Sequence, residues 1–116
     1  MVAWTVYLLH FDAPVHGRFQ HYVGVTADLE RRLHAHRRGA GAQLTRAAHK
    51  ANINMRMTRA WNGGKALEQE IKRRRLQTAL CPLCNPRAEL EAFGLGQLAT
   101  ASAPGAEIPS RHTPEK

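Results

Sequence analysis

Tyr22-Val23-Gly24-Val25-Thr26-Ala27-Asp28-Leu29-Glu30-Arg31-Arg32-Leu33 is the stretch on which the reading of the fold turns. Its first part, with His21, is aromatic and β-branched, which favours a strand over residues 21–25. Thr26 then caps a helix whose first turn holds Asp28 and Glu30, acids that suit the positive end of the helix dipole, and Gly39 ends it. The expected helix covers residues 27–38. On it Leu29, Arg32, Leu33 and His36 recur at i, i+3, i+4 and i+7, so an arginine and a histidine share the stripe that faces the core. A long basic side chain on such a stripe can simply snorkel to water, which is the alternative to a role in a site.

Working outward, residues 4–9 (Trp-Thr-Val-Tyr-Leu-Leu) read as an earlier strand. Pro14 and Gly17 lie in the segment 11–18, so the two strands are expected to form an antiparallel hairpin with a long loop. Downstream, residues 41–50 suit a short helix and 54–61 a third strand, broken by Asn62-Gly63-Gly64. A helix over 65–77 follows, with Leu67 and Ile71 on one face and the pairs Glu68/Lys72 and Glu70/Arg74 at i, i+4. Pro82 and Pro86 limit further helix, and residues 90–98 form a short apolar stretch. The segment 99–116, rich in Ala, Ser, Pro and Gly, is expected to be a disordered tail behind one folded domain at 1–98. A chain of 116 residues has room for one core and, by expectation, one site.

The formal net charge of +8 is unevenly spread. Residues 31–75 hold thirteen Lys or Arg against two acids, a net of +11, whereas the flanking segments are slightly negative. Such a field attracts polyanions over a Debye length of about 10 Å at 0.1 M salt and makes nucleic acid the leading partner. An anionic membrane surface is the weaker alternative, because the arginines are interleaved with Gly, His and a predicted strand and do not line one amphipathic helix. No apolar stretch approaches the roughly 20 residues of a membrane helix. The start Met1-Val2-Ala3-Trp4-Thr5-Val6 has no basic region before its apolar run, so a soluble, cytoplasmic protein is expected.

Phosphodiester cleavage needs a positioned water, a group to take its proton, positive charge for the developing phosphorane and often a metal. Tyr7 and Tyr22 lie on the two paired strands, Arg32 on the next helix and Glu68 on the last. Taken singly, each tyrosine could be an ordinary strand aromatic and Glu68 a partner of Lys72, a contact worth roughly 0.3–0.5 kcal/mol. Their combined order is what weighs against that reading.

Val6-Tyr7 followed by Tyr22-Val23-Gly24 resembles the two-part signature of the GIY-YIG nucleases, with Thr5 in place of the first glycine and a somewhat longer connection. Residues 24–33 and His36 are similar to that family's first helix, which makes Arg32 the counterpart of its catalytic arginine. Ala66-Leu67-Glu68-Gln69-Glu70-Ile71-Lys72 looks like its metal-binding helix and selects Glu68 over Glu70. Asn85-Pro86 resembles the family's Asn-Pro, whose asparagine supports the site, as Gly24 would.

The resemblance implies an α+β fold, a small three-stranded antiparallel sheet flanked by helices, with Mg²⁺ or Mn²⁺ on Glu68. It implies metal-assisted hydrolysis in which Tyr7 or Tyr22 handles water and Arg32 stabilises the transition state. A phenol is a poor base at neutral pH, so either the metal perturbs the tyrosine or His36 helps by accepting a proton. The expected activity is that of an endonuclease, with DNA favoured over RNA as substrate. Arg31, Arg37, Arg38, Arg46, Lys72, Arg73, Arg74 and Arg75 are the expected phosphate contacts, against the default of a solvated charge run. With one short domain, target choice falls to nucleic-acid shape, a homodimer or a targeting partner. The alternative function is a nucleic-acid-binding module that keeps the fold without turnover.

Cys81-Pro82-Leu83-Cys84 has zinc-knuckle spacing, but a structural site needs four ligands and no second cysteine pair exists. Packed thiols are the expectation, with completion by a second chain or by a histidine such as His49 the alternative. The surroundings do not read as a thioredoxin-like unit.

Overall fold

Strand β1, Thr5–Val15, buries side chains on both faces from Val6 to Leu9 and is the middle strand of the sheet. The computed structural model describes residues 3–99. Within them β2 (Phe19–Thr26) and β3 (Met55–Asn62) flank β1, both antiparallel to it, in the order β2-β1-β3. Four helices accompany the sheet among the described residues: α1 (Leu29–Arg37), α2 (Gln43–Lys50), α3 (Lys65–Arg73) and α4 (Gln77–Leu80). Short 3-10 turns at Leu90–Phe93 and Gly96–Leu98 close the described chain. This is the expected α+β class. Apart from Ala99, the tail expected beyond residue 98 lies outside the described residues.

The alternation of β1 splits the core in two. Val6 and Leu8 pack with Val23, Trp61, Leu67, Ile71 and Leu80 beneath α3 and α4. Tyr7 and Leu9 point the other way, onto Met57 and Ala60, with Tyr22, Leu29 and Leu33 packed against them. Leu67 and Ile71 are almost wholly buried, worth about 2–3 kcal/mol each, so packing and not the few tenths from i, i+4 ion pairs holds α3 in place.

Several boundaries differ from expectation, each for a local reason. The segment 11–18 is not a long loop: β1 continues to Val15, because Phe11 and Val15 are buried against Ala48 of α2. The reversal is confined to His16-Gly17-Arg18, with His16 and Gly17 both at positive φ. Helix α1 is capped by Asp28, whose side chain accepts from the Arg31 amide, while Thr26 accepts from the Asp28 amide one step earlier.

Helix α3 stops at Arg73, short of the expected residue 77. Leu76 N–H donates to Ile71 C=O at 3.0 Å and Arg75 N–H to Lys72 C=O at 3.1 Å, with Arg75 left-handed at φ 55. That is a Schellman ending. Gly39 and Asn52 end α1 and α2 through the same pair of bonds.

Candidate active site

Tyr7 pairs across the sheet with Gly24, and that glycine makes the site possible. A Cβ on residue 24 would lie 2.5 Å from the Tyr7 hydroxyl oxygen and 3.0 Å from the Tyr22 ring. The absent side chain lets the Tyr7 ring lie flat over β2. Tyr22 follows at a centroid separation of 6.2 Å, and the His36 ring stands 5.7 Å from Tyr7 and 5.2 Å, edge to face, from Tyr22.

α1 delivers His36 to this cluster through the stripe Leu29, Arg32, Leu33 and His36, anchored by Leu29 and Leu33 on the Tyr7 face of the sheet. The imidazole is fully buried. Its backing is a tight turn, since a Cβ on Gly41 would fall on His36 Nδ1.

The protons in the cluster can be ordered from its far end. Thr45 Oγ1 donates to the Ala42 carbonyl, which can only accept, at 3.0 Å. The hydroxyl oxygen then accepts from His36 Nδ1–H at 2.7 Å, which leaves Nε2 with a lone pair, and Tyr7 donates its hydroxyl proton to it at 2.7 Å. Burial, reinforced by the positive charge of Arg32 and Arg37, pushes His36 down to about 4, so the imidazole is neutral at pH 7. Burial drives the Tyr7 phenol well above its ordinary range, with the Arg32 guanidinium beside it acting in the opposite sense. Arg32 lies against the hydroxyls of both tyrosines, Tyr7 foremost, and is held above its usual range by them. A permanent cation thus sits beside two phenols and a neutral imidazole.

Four of the five expected catalytic residues, Tyr7, Tyr22, Arg32 and His36, are brought together. The hydrogen bonds and ring contacts that join these four do not include Glu68. It stands in the first turn of α3, which packs on β2 and β1 from the other face of the sheet. The residue is 7% exposed, and its carboxylate pairs with Lys72 Nζ at 2.8 Å. Two hard oxygen donors in a nearly enclosed position suit Mg²⁺ or Mn²⁺, and the half-exposed Lys72 ammonium can retreat into water. Glu68 is thus a residue that could hold such an ion.

Among the expected phosphate contacts, Arg31, Arg37, Arg38 and Arg46 are exposed on α1, its C-cap and α2, and make no ion pair among the described residues. Lys72 and Arg73 are engaged by Glu68 and Glu70, and Arg74 donates to the Phe93 carbonyl at 2.9 Å. Arg75 is exposed at the end of α3. Asn85 braces the segment after α4, donating to the Ala79 carbonyl at 2.7 Å and accepting from the Arg87 amide. Sequence reasoning missed Thr45 and Gly41, whose roles depend on α2 folding back on α1 and have no local signature. It also misjudged the cysteines: Cys81 is buried but Cys84 is exposed, so they are not two packed thiols, and His49 lies against Gly39 instead of near them.

The sequence model of the GIY-YIG catalytic domain matches residues 3–78, from the start of the described chain into α4. The chain belongs to the GIY-YIG family. Tyr7, Tyr22, Gly24, Arg32, His36 and Glu68 all fall inside that match, and Asn85 and the two cysteines lie beyond it. The chain is also similar to UPF0213 protein ORF82 of Orgyia pseudotsugata multicapsid polyhedrosis virus, 35% identical over 74 residues, 62% of this chain and 66% of the relative. It thus spans just under two thirds of that relative's length. No solved structure matches. Among the described residues no helix is long and apolar enough to cross a membrane.

Proposed function

We propose that the protein is a divalent-metal-dependent endonuclease that hydrolyses DNA phosphodiesters, structure-selective or of low sequence specificity. The observation that carries this reading is the cluster of Tyr7, Tyr22, Arg32 and His36 built around Gly24, in a chain of the GIY-YIG family. Arg32 supplies fixed positive charge where phosphorane charge develops. Tyr22, half-buried where Tyr7 is fully enclosed, faces the attacking water. His36 Nε2 carries the unprotonated nitrogen of the cluster and, held neutral by burial, orients the Tyr7 hydroxyl by accepting its hydrogen bond. Glu68 would hold Mg²⁺ or Mn²⁺, which when bound supplies Lewis-acid activation and charge neutralisation. The exposed Arg31, Arg37, Arg38 and Arg46 grip the backbone without reading sequence.

A second reading, a nucleic-acid-binding module without turnover, is favoured by the Glu68–Lys72 pair, which satisfies the carboxylate without an ion. Salt-sensitive binding is common to both readings, so cleavage separates them. The test presents supercoiled, single-stranded, flapped and branched DNA, and RNA, to the purified protein with Mg²⁺ or Mn²⁺. Cutting of DNA that Glu68→Ala and Arg32→Ala each abolish while still folding is the expected result. Undiminished cutting by Glu68→Ala sinks the mechanism.

A further inference from the structure

On the face of the sheet away from Tyr7, four side chains converge that the proposed chemistry does not use. His10 and His21 are direct partners in the β1–β2 register. Cys81 ends α4, and the Cys84 and Asn85 amides both fold back onto its carbonyl, at 3.0 and 2.8 Å, which turns the Cys81–Cys84 segment toward the two histidines. One donor atom from each of the four residues lies within 4.8 Å of every other.

The separations are those of a tetrahedral metal site. Bonds of about 2.3 Å to sulfur and about 2.0–2.1 Å to nitrogen, at tetrahedral angles, put two nitrogens about 3.3 Å apart and a nitrogen and a sulfur about 3.6 Å apart. His10 Nδ1 and His21 Nε2 are 3.3 Å apart. Cys81 Sγ is 3.6 Å from His10 Nδ1, and Cys84 Sγ is 3.7 Å from His10 Nδ1 and 3.4 Å from His21 Nε2. Hydrogen bonding alone explains this poorly. His10 Nδ1 has one proton or one lone pair to offer, and three potential partners crowd it.

We propose that His10, His21, Cys81 and Cys84 bind one zinc ion in a structural Cys2His2 site. Zinc is the ion chosen by two thiolates and two imidazoles in tetrahedral array with all four positions filled by protein, and a closed ligand set of this kind does not activate water. The remaining nitrogen of His21, Nδ1, lies 3.5 Å from Thr78 Oγ1, an outer partner that orients the ring. Asn85 steadies the turn from behind through its bond to the Ala79 carbonyl. The ion ties the β1–β2 hairpin to the segment after α4, which is also held by the buried Ala88, Leu90 and Leu95 and by Arg59 and Arg74. The site does not depend on the nuclease reading and is tested without nucleic acid.

The full-length protein is purified reduced in chelator-free buffer, and metal content and free thiols are measured. About one zinc per chain is expected, and Co²⁺ replacement should give the intense visible bands and the sulfur-to-metal charge transfer of a tetrahedral dithiolate site. Cys84→Ser, at an exposed position, and His21→Gln should each lower zinc affinity at least about tenfold, and Thr78→Val about tenfold. Glu68→Ala should leave zinc content unchanged. Failure of the reduced wild type to take up zinc or Co²⁺ at one per chain overturns the proposal, as does a Cys81–Cys84 disulfide in freshly purified protein. Because the wild-type metal content and cobalt spectrum need no variant, misfolding of Cys84→Ser does not rescue it.

Discussion

Tyr7 on β1 and His36 on α1, 29 residues apart, share a buried hydrogen bond of 2.7 Å in which the phenol donates to the imidazole. The direction of that bond makes His36 the hydrogen-bond-accepting end of the cluster and ties the orientation of the Tyr7 phenol to the packing of the helix. Gly24 sits beneath it. Gly24→Ala forces either the Tyr7 ring or the β2 backbone to shift, which should cost about 1–3 kcal/mol and abolish cleavage. Gly64→Ala, where nothing lies within 4 Å, should cost only the about 0.5–1 kcal/mol of a poorer N-cap on α3 and leave cleavage intact. Thermal denaturation and a nicking assay on the two variants compare them directly, and equal behaviour would refute the steric argument.

Thr45 is a positioning residue, acting on substrate only through His36. Thr45→Val keeps its shape but leaves His36 Nδ1–H unpaired in a buried site, at a cost of about 1–3 kcal/mol. It also frees the imidazole to take the other tautomer, in which Nε2 no longer accepts. The expected result is a fall in kcat with little change in KM, restored by Thr45→Ser, which keeps the hydroxyl. A variant that loses stability but not kcat would reduce Thr45 to a packing role.

His36 also predicts a stability profile. Its folded value of about 4 lies below the ordinary 6.5, so protonation favours the unfolded chain. Its contribution is complete above about pH 6.5 and is lost as pH falls through the window from 6.5 to 4. At 1.36 kcal/mol per unit, that is on the order of 3 kcal/mol. The groups facing it are Tyr7 from β1, Tyr22 from β2, Arg32 and Arg37 from α1 and Thr45 from α2. The two cations add to the effect and no carboxylate among these opposes it. His36→Gln should flatten the decline in urea midpoint between pH 6.5 and 4. His10 and His21, also pushed down by burial, drop out of the comparison. An identical decline in wild type and variant would contradict the assignment.

Arg75 holds a left-handed conformation at the Schellman end of α3, where a side chain costs roughly 1–2 kcal/mol. Arg75→Gly should stabilise the protein by about 0.5–1 kcal/mol, net of the extra freedom glycine gives the unfolded chain. If Arg75 touches phosphate, the same change should reduce the salt slope of DNA binding by about 0.9. Denaturant midpoints and binding at two or more salt concentrations read the two effects separately.

That residue also marks where the sequence stopped being legible. Gly39 announces the end of α1, because glycine is the usual occupant of such a cap, but Arg75 carries no such signal, so the sequence alone favours helix as far as residue 77. The three strands and the stripe Leu29, Arg32, Leu33 and His36 were readable because their periods of 2 and 3.6 are local properties of the chain. The extension of β1 through Pro14 was not, because it depends on Phe11 and Val15 meeting Ala48 of α2. The same limit applies to function. Tyr7, Tyr22, Arg32, His36 and Glu68 stood out through motif order, whereas Thr45 and the His10–His21 pair acquire meaning only once the helices fold back and the hairpin register is set.

Lys72 and a divalent cation would compete for the Glu68 carboxylate, since the ammonium sits 2.8 Å from Oε2. Replacing it with a neutral side chain of similar length removes the competitor and leaves a nearly buried carboxylate without its partner. Lys72→Met should therefore lower stability in the absence of Mn²⁺ by about 1 kcal/mol and show a larger Tm rise than wild type when Mn²⁺ is added. Each tenfold gain in Mn²⁺ affinity corresponds to about 1.4 kcal/mol at saturation, or roughly 4–8 °C for a domain of this size. Glu68→Ala should abolish the Mn²⁺-dependent rise in either background. A rise that survives Glu68→Ala would place the ion elsewhere, and equal rises in wild type and Lys72→Met would mean that the ammonium and the metal do not share the carboxylate.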